Sequence, residues 1–308
     1  MKVVPLAADS LGVRSMATYV EVASTGILID PGATLAPSRF SLPPSEPEWE
    51  ALRRANDRIS AYASRAAFVF VSHYHDDHFR SDPSTYVGRR VLAKDPRRMV
   101  AGLQARRAAE WWRALEPVTR VESADGAVHR EAGFSLRVSA PLPHGIEGTS
   151  LGYLVTLTVT DPAERERFVF ASDVQGPLSP VAAAYLHQER PTLVYLSGPP
   201  SYIEYEVGSA TIERGIDHLL ALVERTGCRV IMDHHAMRDP RGDARFERLW
   251  RTVRVMTAAK WLGVAEDPLE RRRRALWSAE RKPPARVTSA GTPVARTRRK
   301  FGKGGRGD

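Results

Sequence analysis

Ala67-Phe68-Val69-Phe70-Val71-Ser72-His73-Tyr74-His75-Asp76-Asp77-His78 decides how the rest of this 308-residue chain is read. Its first five residues are apolar, β-branched or aromatic without a break, the pattern of a strand covered on both faces. Three histidines and two aspartates then arrive within six residues. A hydrophobic core has no use for that density of polar groups, whereas a divalent cation does. Neutral imidazole and carboxylate are the ligand set of zinc and similar borderline metals. From a tight loop at a strand end, His73 and His75 can reach one ion, and Asp77 and His78 can turn toward a neighbouring one.

The composition is that of a globular protein, 43% apolar and 26% charged, and long enough for one large domain or two small ones. The single cysteine, Cys228, excludes an intramolecular disulfide and a cysteine-based zinc site. Met1-Lys2-Val3-Val4-Pro5-Leu6 lacks the apolar core of a signal peptide, and no apolar run is long enough to span a bilayer. A cytoplasmic location and no membrane partner are therefore expected. The net charge of +9 is uneven: residues 265–308 hold 13 Lys and Arg against 5 Asp and Glu. A near-neutral body thus carries a basic end. Only six of the 45 basic residues are lysine, and nothing functional is drawn from that arginine excess.

Outward from the cluster, residues 2–7 and 17–23 read as strands joined by the turn Asp9-Ser10-Leu11-Gly12, and Gly26-Ile27-Leu28-Ile29 as a buried strand ending in Asp30-Pro31-Gly32. Residues 46–66 have helical apolar spacing, as do residues 95–115 with the pair Trp111-Trp112, which reads as core. Residues 118–122, 126–130 and 134–140 read as a meander. His144 follows in a Pro- and Gly-bounded loop. A long β-rich run, 151–160, pairs with 167–171, which ends in Ser172-Asp173. Residues 180–189 and 209–226 read as helices, and Thr192–Leu196 as a strand leading to Tyr202 and Tyr205, candidate contacts in a substrate pocket. Cys228–Met232 is the last clear strand and ends in Asp233-His234-His235. Residues 242–262 read as a closing amphipathic helix, and the chain from 263 onward as an Arg-rich, disordered tail.

The run His73-x-His75-x-Asp77-His78 resembles the metal signature of the metallo-β-lactamase-fold hydrolases. Asp30 ahead of that run, and His144, Asp173 and His234 or His235 after it, stand in the order in which that family places its remaining site residues, each past an expected strand. The opening Asp9-Ser10-Leu11-Gly12-Val13-Arg14-Ser15-Met16-Ala17-Thr18 and the Asp233-His234-His235 ending are similar to those of a mostly archaeal branch, which brings no substrate with it. The resemblance covers residues 1–262 and implies an α+β, four-layer αββα sandwich forming a single domain.

The resemblance further implies that His73, His75 and His144 hold one ion, and that Asp77, His78 and His234 or His235 hold a second. Asp173 would bridge them, and Asp30 and Asp233 would support the ligands from behind. The spacing to Arg238 favours His234, and strand alternation expects the two late histidines to point oppositely. Asp77 could instead orient the attacking water beside a single ion, which leaves Asp77 and Asp173 as the catalytic carboxylates. The ions would be zinc, with manganese or iron as the alternatives. Di-iron redox relatives carry glutamate where this chain has His75, which favours hydrolysis. The expected substrate is a small molecule or nucleotide with an ester-type bond: phosphodiester, thioester or lactone. The alternative is an RNA-processing nuclease or RNA-binding protein that contacts RNA or DNA without sequence choice through residues 265–308.

Overall fold

The computed structural model describes residues 1–280. Six strands form a first sheet in chain order: β1 (Lys2–Pro5), β2 (Thr18–Val22), β3 (Thr25–Ile29), β4 (Phe68–Val71), β5 (Arg90–Ala93) and β6 (Val121–Ser123). The first two pairings are antiparallel and the rest parallel. The chain then crosses to β7 (Val128–Glu131) and β8 (Phe134–Val138), and a two-stranded ribbon of β9 (Leu142–Pro143) and β10 (Tyr153–Leu154) follows. The second sheet is completed by β11 (Leu157–Asp161), β12 (Glu166–Ser172), β13 (Leu193–Ser197), β14 (Arg229–Asp233) and β15 (Val255–Met256). Its order is β15-β14-β13-β12-β11-β8-β7, and β12 to β15 run parallel.

Strand alternation explains the layers. Phe68 and Phe70 of β4 and Phe168 and Phe170 of β12 meet in one core between the sheets, with Ile27, Ile29, Leu157, Val159 and Tyr195. The intervening Val69 and Val71 face the helices Glu46–Ala63 and Gly102–Leu115 on the far side of the first sheet. Val169, Ala171, Val194 and Leu196 face the helices Pro180–Glu189 and Ser209–Thr226 behind the second. Both faces of the central strands are covered, so their sequences are continuously apolar rather than alternating. The result is the expected αββα sandwich. The ends of β3, β4, β12, β13 and β14 all open on one rim, the usual location of sites in parallel sheets.

Four local expectations are corrected. The meander over 118–140 does not form, because β6 pairs in parallel with β5 in the first sheet while β7 and β8 hairpin in the second. The run 151–160 is broken into β10 and β11. Residues 242–262 are not one helix: they are short turns around β15, which adds to β14 and leaves Val253 92% exposed.

The fourth correction concerns the domain boundary at 262. Leu269–Glu280 is a helix packed on the body. Arg273 is fully buried and grips both carboxylate oxygens of Glu48, the residue that caps the helix Glu46–Ala63. Its neighbours are also engaged: Arg271 pairs with Asp243, Arg272 with Asp267, and Arg274 lies over the ring of Phe40. Arginine density therefore misled the boundary, because a buried guanidinium with a matched carboxylate packs as a core element. The rest of the expected basic tail, 281–308, lies outside the described residues. Among the described residues no helix is long and apolar enough to cross a membrane.

Candidate metal centre

The site is built around the turn that ends β3. Asp30 adopts a left-handed conformation, and the Gly32 that follows lies so close to the cluster loop that a Cβ there would sit 2.5 Å from the backbone nitrogens of His78 and Phe79. Only glycine permits that approach. Asp30 is buried, and its Oδ1 accepts the Ser72 backbone N–H at 2.7 Å. Its Oδ2 accepts from the Ser72 hydroxyl and from His78 Nδ1 at 2.8 Å. A carboxylate only accepts, so His78 carries a proton on Nδ1 and turns Nε2 into the site, where a bound cation would take the place of any proton on it. The Ser72 hydroxyl spends its proton on Asp30 and can accept from His73 Nδ1 at 3.0 Å, which frees His73 Nε2 in the same way.

Strand ends deliver the remaining groups. A register shift between β12 and β13, with Ser172 at positive φ, turns Asp173 inward. The loop after β9 brings His144, and Gly145 N–H bonds the Asp173 carbonyl at 3.2 Å. His73, His75, His144 and Asp173 each offer one ligand atom within 4.8 Å of the others. His73 Nε2 lies 3.1 Å from His75 Nδ1, and His144 Nε2 lies 3.1 Å from Asp173 Oδ2. Asp77, His78 and His234 form a second group of the same compactness. Asp173 adjoins both groups: His78 Nε2 is 3.3 Å from its Oδ2 and His234 Nε2 is 3.6 Å from its Oδ1.

The buried atoms that meet here lack partners. His78 Nε2, both ring nitrogens of His144 and Asp173 Oδ1 have no hydrogen bond. Buried polar atoms are rarely left unsatisfied, and an imidazole–carboxylate set with inward lone pairs fits divalent cations. The charge balance fits too. Burial and His144 push His75 down to about 3, and burial and His78 hold His73 well below the usual imidazole range. Burial alone would raise the Asp173 carboxyl, but His234, His235 and His78 hold it well below the usual carboxylate range. Asp77 is lowered likewise: burial opposes, and His78, His234 and Arg238 prevail. His78 is the exception. Burial would lower it, but Asp173, Asp30 and Asp77 keep it well above its ordinary value.

The two late histidines depart from strand alternation. The strand has ended at Asp233, and His234, at positive φ, opens a tight turn through Arg238. Both rings therefore stay on the site side, 4.8 Å apart. His234 Nδ1 bonds Asp9 Oδ2 at 2.7 Å, which leaves Nε2 3.4 Å from Asp77. His235 Nδ1 instead bonds the Tyr202 hydroxyl at 2.9 Å and places Nε2 3.5 Å from Asp173. Asp233 supports from behind: its carboxylate accepts the backbone N–H groups of Ser10, His234 and Ala258.

Three residues were missed from the sequence. Asp9 stood in a segment read as a turn, yet it fixes His234 and bonds Arg238 Nε at 2.8 Å. Gln104 accepts the Tyr74 backbone N–H and touches His75 Nε2 at 3.3 Å. Glu270, from the helix assigned to the tail, holds Arg14. No local pattern marks any of them; Asp9 meets His234 across 225 positions. The cavity in front of the centre measures about 340 Å³ and is lined by His75, Asp77, His144, Asp173, His235, Tyr202, Arg14 and Arg238 among others. Asp76 sits at its mouth, paired with Arg107 at 2.6 Å. Tyr205 is 83% exposed and does not line the cavity, which corrects that expectation.

No family model matches the chain. Among solved structures it is similar to Tm1679, a metal-dependent hydrolase of the β-lactamase superfamily, with a TM-score of 0.49 and 14% identity over 83% of this chain and 94% of that one. It is also similar to a diphosphatase from the PhnP family, with a TM-score of 0.45 and 13% identity over 86% and 94%. Among sequences it is 42% identical to a UPF0282 protein of Aeropyrum pernix over 91% of this chain and 99% of that protein. It is 36% identical to one of Pyrococcus abyssi over 91% and 94%. It is 34% identical to one of Methanocaldococcus jannaschii over 85% and 92%. With identity of this order across almost the whole length of both chains, the protein belongs to the UPF0282 family.

Proposed function

We propose that the protein is a metal-dependent hydrolase that uses two zinc-like ions, with manganese or iron as alternatives, to cleave an ester-type bond. His73, His75 and His144 would hold one ion, Asp77, His78 and His234 the other, and Asp173 both. The observation that carries this reading is the convergence of the unpartnered Nε2 atoms of His78 and His144 on Asp173, whose Oδ1 also lacks a partner. When bound, such a pair lowers the pKa of a water toward neutrality and balances negative charge as it develops on the substrate. The chain's own residues do the rest. Asp30, Ser72 and Asp9 fix the ring orientations of His78, His73 and His234. Tyr202 holds His235 toward the cavity beside Asp173, where it can face the scissile group.

Phosphodiesters, thioesters and lactones all fit this chemistry, and a cytoplasmic location is part of the same proposal. The alternative, an RNA-processing or RNA-binding protein working through its basic end, draws less support. Among the described residues, the arginine run 271–274 is engaged in packing and ion pairs. The test is a hydrolysis screen over these three substrate classes on protein of measured metal content. Metal-dependent turnover that Asp173→Ala abolishes, together with a melting temperature lowered by chelation, is the expected result. Undiminished turnover in Asp173→Ala would remove Asp173 from the centre, and a melt unaffected by chelation would remove the metal.

A further inference from the structure

A second hollow adjoins the metal cavity. It measures about 380 Å³ and is bordered by Phe79 and Ser81 from the loop after the cluster and by Glu110, Trp111 and Ala114 from the helix Gly102–Leu115. Asp76 and Arg107 border both spaces, so the partition between them is one ion pair of 2.6 Å. That partition is made of side chains and faces water, the Asp76 carboxylate being 58% exposed, so a ligand can lie across it without displacing backbone. Helix spacing explains the alignment. Arg107, Glu110, Trp111 and Ala114 fall three and four residues apart and share one face, and Leu103, one turn before Arg107, is 60% exposed. The floor is fixed in advance. Phe79 and Trp111 belong to the core behind the first sheet, with ring centres 6.0 Å apart, and Trp111 Nε1 donates to the Arg80 carbonyl at 3.0 Å.

We infer that this hollow is the second half of the substrate site and seats an uncharged alkyl or aryl group of the ester whose reacting bond lies at the metals. This rests on the hydrolase reading for the reaction but not for the binding. Charge selects the occupant. Arg107, the one cation bordering the hollow among the described residues, is already matched by Asp76, and Glu110 has no ion-pair partner among them. An anionic group such as a phosphate, or the backbone of a polynucleotide, would therefore meet unbalanced negative charge. Glu110 is exposed and hydrated, so it adds little for an ammonium group. What remains is apolar surface on Phe79, Trp111 and Ala114, and covering it gains about four-fold in affinity for each methylene taken from water. Because Phe79 and Trp111 are already locked in the core, little ordering cost is set against that gain.

The test separates binding from turnover. Acetate, butyrate and octanoate are titrated calorimetrically into the metal-loaded, full-length protein, with suberate and aminooctanoate as comparisons that end the same chain in a charge. Octanoate is expected to bind at least about ten-fold more tightly than acetate, a gain that two buried methylenes supply, and both charged-tail compounds to bind more weakly than octanoate. Ala114→Phe and Ser81→Phe fill the hollow from its two sides at exposed positions and remove no packed atom. Each should return octanoate to near the affinity of acetate, with acetate binding, metal content and melt unchanged. Affinity that does not rise with chain length, or octanoate bound by both filled variants as by the wild type, would overturn the hollow as a site. Suberate or aminooctanoate binding tighter than octanoate would overturn its apolar character. The ester screen judges the hydrolase separately. Esters carrying an alkyl chain or aryl ring should show a lower KM than methyl acetate, an advantage lost in Ala114→Phe. Metal-dependent turnover indifferent to that group would overturn the substrate assignment while the hydrolase stood, and tail-dependent binding without turnover of any ester would count against the hydrolase and not the hollow.

Discussion

Replacing Asp30 by asparagine tests the centre at the group that holds it from behind. The change is nearly isosteric, so packing is preserved and hydrogen-bond polarity alone is altered. One oxygen of Asp30 faces the Ser72 N–H at 2.7 Å, and the other faces His78 Nδ1 at 2.8 Å and the Ser72 hydroxyl. Every one of these groups donates. Asparagine must turn its NH2 toward one side or the other, and each orientation sets donor against donor. The backbone N–H cannot yield, whereas the imidazole can, so the amide will face His78 and force its proton onto Nε2. That nitrogen is the one aimed at Asp173, 3.3 Å away. Loss of such a supporting contact lowers metal affinity about 10–100-fold, roughly 1.4–2.7 kcal/mol. Equilibrium dialysis against chelator-buffered zinc, with metal per chain counted, should show the second ion lost at free-zinc levels that saturate the wild type. Ser72 also loses its acceptor, so weaker binding at His73 should accompany it. Two ions per chain at wild-type affinity would refute the claim that Asp30 sets the histidine tautomers.

Two further tests probe the C-terminal helix. Arg273→Met leaves Glu48 buried and short of its charge partner, so unfolding by urea should show a loss of about 3–5 kcal/mol, and no change in the midpoint would contradict the burial described above. Glu270 lies below its ordinary value; burial opposes this, and the hydrogen bond from Arg14 and the nearby Arg238 outweigh it. A carboxyl lowered by folding stabilises fully above its unfolded pKa, near 4.5, and loses that contribution as pH falls through the folded value. In chelated protein, Glu270→Gln should therefore flatten the stability profile below about pH 4.5 and lower the plateau above it. An acid limb identical to the wild type would remove Glu270 from that role.

Much was legible in the chain because the information is local. A covered strand advertises itself by an unbroken apolar run, and a metal loop by side chains too polar and too close together for a core. Asp30, His144 and Asp173 carry no such local mark: each follows a strand, but only the resemblance to the metallo-β-lactamase-fold hydrolases singled them out. Local reading failed where the partner was distant or the strand too short to register. β6 and β15 are edge strands of three and two residues, placed by their neighbours rather than by their own sequences.

The sequence by itself determined the cluster at 73–78, whose residue types and spacing suit a metal, while the order in which later strand ends supply the other candidates came from its resemblance to a known family. Only the tertiary structure decided how those side chains are aimed. Asp9 holds His234 from the opposite end of the chain, and the turn after β14 keeps both late histidines on one side. Arg14 and Arg238 beside the cavity are each paired by carboxylates that reach them from distant segments. Hydrogen-bond direction and charge balance depend on distances of a few ångströms between segments hundreds of residues apart, and those distances exist only in the folded chain.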